Sequence, residues 1–155
     1  MTGKIEARLA ELGISLPPAP NPVANYVPYV LSGNLLFISG QISKAGDGTV
    51  MTGTLGDGVD VEAGQAAARL CALNILAQAK SALGDLDRIA QVLRLTGFVS
   101  ATAAFADHPK VVNGASDLMV EVLDDKGRHT RAAVGVASLP MGSAVEVDAV
   151  IAVAG

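Results

Sequence analysis

The charged residues with the clearest chemical potential lie in the last stretch of the chain, between His129 and Ala154. Arg131 precedes a valine-rich run, and Glu146 and Asp148 stand within a second run in which small apolar residues recur at every second position. One arginine and two carboxylates among small apolar residues are charges that must be satisfied by a partner or a ligand. The stretch is therefore the part of the chain where we expect a site.

The alternation in this stretch predicts two strands joined by a turn at residues 139–142. If the valines of both strands share one face, the other face carries Arg131, Ala133, Gly135 and Ala137 together with Glu146, Asp148, Val150 and Ala152. A face that is small and apolar yet charged must be covered and its charges satisfied. The sequence therefore predicts a subunit interface that contains a small-molecule site.

The spacing of the two principal charges leaves alternatives open. In a simple hairpin centred on Met141, Glu146 would face Gly135, roughly 13 Å along the sheet from Arg131. Either a ligand bridges this gap, or the strands are not direct neighbours, or two subunits supply the two groups. Arg131 can instead form a structural ion pair with Glu146 or Asp148 of a neighbouring subunit.

Composition limits the function classes. The 155 residues are half apolar, which suits one domain with a substantial core, and the net charge of −4 without a basic run argues against nucleic-acid binding. We expect no membrane segment, because neither a signal-peptide pattern nor a long apolar stretch is present. The single cysteine, Cys71, leaves no internal disulfide or cysteine-based zinc site, which favours a cytoplasmic protein. No group of residues has metal-ligand spacing, and no cofactor motif is present.

The rest of the chain predicts alternating strands and helices. The expected elements are a short helix at 4–12, a proline-rich tether at 15–23, strands at 25–31 and 35–41, a weaker strand at 49–55, a helix at 61–83 capped by Asp60, a strand at 88–99, and a second helix from Asp107 to Gly127. Two crossover helices must cover the same face of the sheet when its topology repeats. The fold class is therefore α+β, with a mixed β-sheet, two crossover helices on one face and a short N-terminal helix.

Three further features bear on the interior and on a site. Gly40, at the end of the second predicted strand, either lets a ligand or another backbone approach closely or marks a strand end or bulge. The long helix is predicted to bury Ala66, Leu70, Leu73 and Ala77 and to expose Arg69, Gln78 and Lys80, with Cys71 a packed thiol. His108 and His129, at the ends of the second helix, are expected to be solvated.

Several short motifs, taken in order, resemble the Rid family of imine/enamine deaminases, also called YjgF-type or L-PSP proteins. The motifs are Tyr26 ahead of Gly33-Asn34, the run Phe37 to Gln41, Asn113 in the second helix, Arg131 ahead of a valine-rich strand, Leu139-Pro140, and Val145-Glu146-Val147. The resemblance covers most of the chain from Asn25 onward. We therefore expect residues 1–155 to form one Rid-like domain, in which residues 1–24 are an N-terminal helix and a proline-rich tether.

The resemblance implies a chorismate-mutase-like fold and a homotrimer with sites in the clefts between subunits. It implies that Arg131 binds a ligand carboxylate and that Glu146 orients or activates the attacking water. Gly40 is implied as a backbone contact, and Tyr26, Ser39, Asn113 and Ala133 are implied as cleft residues around a small carboxylate or imine ligand. The family's reaction implies no metal and no cofactor.

The chain also departs from the family pattern. Ala133 stands where active deaminases usually carry cysteine, Ser116 replaces a common tyrosine, and Val27-Pro28-Tyr29 replaces a small polar run. The sequence therefore supports an imine/enamine deaminase of a divergent branch. The alternatives are a trimer that binds a small carboxylate without turning it over and, with less support, an endoribonuclease.

Overall fold

The structure, a computed structural model, describes residues 3–21 and 25–155. Its helices are α1 (Lys4–Glu11), α2 (Val61–Leu83) and α3 (His108–Leu123). Its strands are β1 (Tyr29–Ser32), β2 (Leu35–Ile42), β3 (Thr54–Leu55), β4 (Gly58–Val59), β5 (Ile89–Ser100), β6 (Thr130–Val136) and β7 (Val145–Val153). Between them lie three short 3-10 turns, at Leu86–Arg88, Asp124–Gly127 and Pro140–Gly142.

The main sheet has five strands in the order β1-β2-β7-β5-β6. Strands β5 and β6 run parallel and the other neighbouring pairs are antiparallel, so the sheet is mixed. Helices α2 and α3 pack on each other and on the same face of this sheet, where α2 contacts β2 and β7 and α3 contacts β5 and β6. The predicted α+β class, with two crossover helices on one face, is confirmed.

The bounds of α2 follow from strong local signals. The Asp60 side chain accepts a hydrogen bond from the backbone N–H of Ala63 at 2.8 Å, which satisfies a donor at the first turn of the helix. Gly84, with φ +76°, ends the helix in a conformation that favours glycine. The helix therefore spans the predicted residues, 61–83.

The face that α2 buries is only partly the predicted one. Ala77 is buried and Lys80 is exposed, as predicted, but Ala66 is exposed, Leu70 and Leu73 are half-buried, and Gln78 is 1% exposed instead of facing water. The buried side chains include Ala67, Ala68, Cys71, Ala72, Ile75, Leu76 and Ala79. Alanines occur on every side of this helix, and α2 packs against both α3 and the sheet, so the small apolar residues do not identify the buried arc.

Three predicted strands also need correction. The first begins at Tyr29 and not at Asn25, and residues 49–55 form only isolated bridges and the two-residue β3. The last two strands do not pair as a hairpin, because β5 lies between β6 and β7. Within the two described ranges, no helix is both long and apolar enough to cross a membrane.

Candidate functional site

A β-bulge in β2 brings Gly40 against Glu146. Ile38 pairs with Ala149 and Gln41 pairs with Val147, so two residues of β2 oppose one residue of β7 between these pairs. Ser39 fixes the bulge, because its backbone N–H and its Oγ donate to the carbonyls of Pro28 and Val27, both at 2.9 Å. The bulge places the backbone of Gly40 beside the carboxylate of β7.

A side chain at Gly40 would displace the Glu146 carboxylate. A Cβ atom at Gly40 would lie 2.5 Å from Oε2 and 2.9 Å from Cδ of Glu146. Of the two expectations for Gly40, the bulge is therefore observed, and the group that approaches the glycine is the side chain of Glu146 and not a backbone.

We expect Gly40→Ala to move the Glu146 carboxylate. A reaction that depends on this carboxylate should then become much slower, while the melting temperature changes little. The added methyl group meets the end of a flexible side chain and not backbone, so the fold can accommodate it. Gly46→Ala is the matched control, because the nearest atom to its Cβ is 3.8 Å away on Pro17. Parallel melting curves and activity assays check the prediction. A large loss of melting temperature in Gly40→Ala alone would identify the glycine as a folding requirement instead.

The Glu146 carboxylate has the electrostatic character of a general base. It is half-buried on the face of the sheet opposite the helices, and desolvation, followed by the nearby charge of Asp148, raises its pKa. Burial also raises the pKa of Asp148, which Thr96 and Arg94 partly counteract. A carboxylate with a raised pKa takes a proton from water more readily than an ordinary glutamate does.

Glu146 opens into a cavity of about 290 Å³. Its lining includes the predicted site residues Tyr26, Ser39 and Gly40, and also Pro20, Asn21, Pro28, Gln41, Ile42, Lys44, Asn74, Gln78, Pro140 and Met141. The proline-rich segment forms one wall, since Gln78 Nε2 donates to the carbonyl of Pro20 at 2.6 Å. Asn74 and Gln78 are buried polar residues one turn apart on α2, so both face this wall.

Arg131 lies in a separate polar cluster between β6 and α3. Its Nη1 donates to Asn113 Oδ1 at 2.8 Å and to Ser116 Oγ at 3.2 Å. Ser116 Oγ is in turn 2.8 Å from His129 Nε2, and His129 Nδ1 is 2.6 Å from the carbonyl oxygen of Gly127. The structure thus places the predicted Asn113 on Arg131 and adds Ser116 and His129, whose role the sequence pattern does not reveal.

The strand register corrects the predicted faces. Leu95 pairs with both Arg131 and Ala149, and Leu95 and Ala149 are buried beneath the helices. Arg131 and Ala133 therefore face the helices, and Ala133 packs against the core. The open face of β6 carries Val134, which is 42% exposed, so the valines of β6 and β7 point to opposite faces.

Arg131 and Glu146 therefore do not meet within one chain. Glu146, Phe98 and Val134 lie side by side across β7, β5 and β6, so Arg131 is two strands and three residues away from Glu146. That offset is roughly 14 Å, and the two side chains leave opposite faces of the sheet. The sequence left three explanations for this separation. The structure shows that the two strands are not direct neighbours, and it excludes a small ligand that touches both groups within one chain. Two subunits could still supply the two groups.

Within residues 3–21 and 25–155, no group of three or more His, Cys, Asp or Glu residues could hold a metal ion. Cys71 is fully buried and its Sγ lies 3.4 Å from the carbonyl oxygen of Val145. Burial raises the pKa of its thiol well above the ordinary value, which makes it an inert packed group, as predicted.

A family model described as YjgF/chorismate mutase-like, putative endoribonuclease, matches residues 6–152. The chain belongs to this family. The resemblance to the Rid or YjgF family drawn from Arg131, Glu146 and the Gly40 run is thereby confirmed, as is the chorismate-mutase-like fold.

Individual members of the family are also similar to this chain. Protein TCP17 of Trypanosoma cruzi is 51% identical over 151 residues, which is 97% of this chain and 94% of that protein. The crystal structure of Atu1372 from Agrobacterium tumefaciens, of unknown function, is 52% identical with a TM-score of 0.87 over 96% of this chain and 93% of that chain. E. coli TdcF, solved with bound serine, is 27% identical with a TM-score of 0.63 over 88% and 94% of the two chains.

Proposed function

We propose that the protein is an imine/enamine deaminase that hydrolyses a small reactive imine to a 2-keto acid and ammonia. The site is completed by two subunits of a homotrimer, one supplying Arg131 and Asn113 and the next supplying Glu146, Gly40, Ser39 and Tyr26. Residues 1–155 form one Rid-like domain, acting in the cytoplasm without a resident metal or cofactor.

The observation that carries the proposal is the placement of Arg131 and Glu146. They lie roughly 14 Å apart on opposite faces of the sheet of one chain. Glu146 lines a cavity, and Arg131 is held by neutral partners that leave its charge for a ligand. A head-to-tail contact between an edge of one subunit and the open face of the next closes into a ring when the rotation between them fits. Such a contact unites the two halves and covers Val30, Phe37 and Val134, which are 50%, 44% and 42% exposed.

The reaction needs little from the protein beyond positioning and one base. Arg131 binds the substrate carboxylate, which fixes the imine carbon near Glu146 of the next subunit. Glu146 accepts a proton from water as the water oxygen bonds to the imine carbon, and it passes that proton to the nitrogen, which gives a carbinolamine. Glu146 then takes the hydroxyl proton of the carbinolamine and returns it to the nitrogen as the carbon–nitrogen bond breaks, so ammonia leaves, the keto group forms and the carboxylate is regenerated. The serine bound in TdcF is an amino acid and so carries the carboxylate that this grip requires.

The second candidate is a trimer that binds a small carboxylate without turning it over. Ala133 supports it, because active members of the family usually carry cysteine at this position. An endoribonuclease has less support. The two histidines do not form a catalytic pair, because His108 packs edge-on against Phe105 while His129 is held in the Arg131 cluster.

The assembly and the reaction are tested together. We expect light scattering to give three times the chain mass of 15.6 kDa at micromolar concentration. We also expect release of ammonia and a keto acid from an enamine generated in situ. A monomer mass would contradict the shared site, and keto-acid binding without ammonia release would select the non-catalytic alternative. Binding of RNA that weakens steeply with salt would favour the endoribonuclease.

A further inference from the structure

The guanidinium of Arg131 is already committed on one side in the free chain. Nη1 carries two hydrogens, and it donates to both Asn113 Oδ1 and Ser116 Oγ. Within the described ranges, Nε and Nη2 make no hydrogen bond. Nε–H and one Nη2–H point the same way, so this edge of the guanidinium matches the two oxygens of a carboxylate.

The carbonyl group of Gly127 fixes which group donates in each hydrogen bond that links Arg131, Ser116 and His129. The Gly127 carbonyl can only accept, so His129 donates from Nδ1–H, and neutral His129 must then accept at Nε2. Ser116 therefore donates its hydroxyl hydrogen to His129 and turns its lone pairs toward Nη1 of Arg131. The result is a one-way chain of hydrogen bonds running from Arg131 through Ser116 and His129 to Gly127.

We propose that Ser116 and His129 are positioning residues that hold Arg131 so that its Nε–Nη2 edge receives the ligand carboxylate. The inference rests on the proposed function, because it assigns the geometry of the same carboxylate grip. In this arrangement Ser116 is oriented by His129, the residue directly before β6.

The surroundings keep His129 in the neutral form that this chain of bonds requires. Desolvation lowers its pKa most, the carbonyl of Gly127 acts in the opposite direction, and the charge of Arg131 lowers the pKa again. The other charged side chains on the elements around it are Lys110, Asp117 and Glu121 on α3, Asp124, Asp125 and Lys126 in the following turn, Arg128 beside it, and Arg94 on β5.

Protonation of His129 would undo the arrangement in two ways. Nε2 would become a donor, so Ser116 would have to turn its hydrogen elsewhere. A second positive charge would also lie within 6.0 Å of Nη1, since bonds of 2.8 and 3.2 Å meet at Ser116 Oγ. Repulsion between the two positive charges then displaces the guanidinium of Arg131 from its position. The affinity of the protein for a carboxylate ligand therefore falls as pH is lowered.

The test is calorimetric titration of the full-length protein with 2-oxobutyrate, a small 2-keto acid, between about pH 5 and pH 8. We expect Ser116→Ala to weaken binding about tenfold and Ser116→Thr, which keeps the hydroxyl, to restore most of the affinity. His129→Gln keeps a hydrogen-bond acceptor that does not titrate. The affinity of this variant for 2-oxobutyrate should therefore not fall as pH is lowered through the range in which histidine takes up a proton. His108→Gln is the matched control and should keep the wild-type profile, because His108 lies against Phe105 and outside this cluster.

Two results would overturn the positioning roles while leaving the carboxylate grip intact. One is wild-type affinity in Ser116→Ala. The other is binding that tightens at low pH and loses this dependence in His129→Gln, which would make His129 a simple extra cation. Failure of the wild-type protein to bind 2-oxobutyrate at any pH would overturn the proposed function and the inference together. NMR of the free protein gives a readout without ligand, and an Nε2–H tautomer of His129 would refute the chain of bonds by itself.

Discussion

Arg131→Ala is expected to abolish measurable binding of small 2-keto acids. The contact is a charge-assisted, two-point hydrogen bond in a partly desolvated place, so its loss costs on the order of 2–4 kcal/mol, or roughly 30- to 1,000-fold in affinity. Titration calorimetry with 2-oxobutyrate measures the effect. Arg131→Lys should recover little of it, because an ammonium group lacks the planar fork.

The control for Arg131 is close in sequence and different in setting. Arg128 is exposed and forms an ion pair with Asp125 in its own turn, at 3.2 Å, so Arg128→Ala should bind ligand like the wild type. Arg131→Ala should also keep most of its thermal stability, since its partners Asn113 and Ser116 are neutral. A large drop in melting temperature would indicate that Arg131 forms a structural ion pair across the interface, because its removal would then leave the charge of its partner buried and uncompensated.

Glu146→Gln is expected to leave ligand binding nearly intact and to lower turnover of an in situ enamine by about a hundredfold. General base catalysis commonly contributes 10²–10⁴-fold, and the lower end applies because imines also hydrolyse unaided. Asp148→Asn is the matched control, since Asp148 lies two residues along the same face of β7. Steady-state assays of both variants measure the difference. Equal loss in the two variants would assign the effect to the charge of the open face and not to one base.

The raised pKa of Glu146 adds a pH signature to that experiment. Activity that depends on the ionised carboxylate should fall, as pH is lowered, at a higher pH than an ordinary glutamate would produce. The folded chain holds the Glu146 proton more tightly than the unfolded chain does, so this group costs stability at neutral pH and the cost disappears as pH falls through its pKa. Glu146→Gln should therefore melt at or slightly above the wild-type temperature at pH 7.

The elements with strong local signals could be predicted from the sequence. The Asp60 cap and Gly84 define α2 to the residue, and Gly33 with Asn34 closes the β1–β2 hairpin because the turn needs a positive φ, here +60°. Arg131 and Glu146 could also be selected as candidate site residues, since a charge within a small apolar strand needs a partner. These features depend on neighbours in sequence, which a linear pattern records.

Features that depend on tertiary contacts could not be read in this way. The alternation of β6 gave the right period but the wrong face, because β6 is an edge strand and its valines point away from the helices. The separation of Arg131 from Glu146 depends on β5 lying between β6 and β7, which no local pattern encodes. The roles of Ser116 and Gln78 likewise appear only once α3 meets β6 and α2 meets the segment that contains Pro20.

The central claim, that each site takes Arg131 from one subunit and Glu146 from the next, is tested most directly by mixing the two inactive variants. Chains of Arg131→Ala and Glu146→Gln are refolded together in equal amounts, and native mass spectrometry verifies mixed trimers. Each mixed ring then holds one site with both groups intact, so activity should return to about one quarter of the wild-type value. If Arg131 and Glu146 of the same chain formed the site, every site would carry one defect. Verified mixed trimers that remain as inactive as either variant alone would contradict the account.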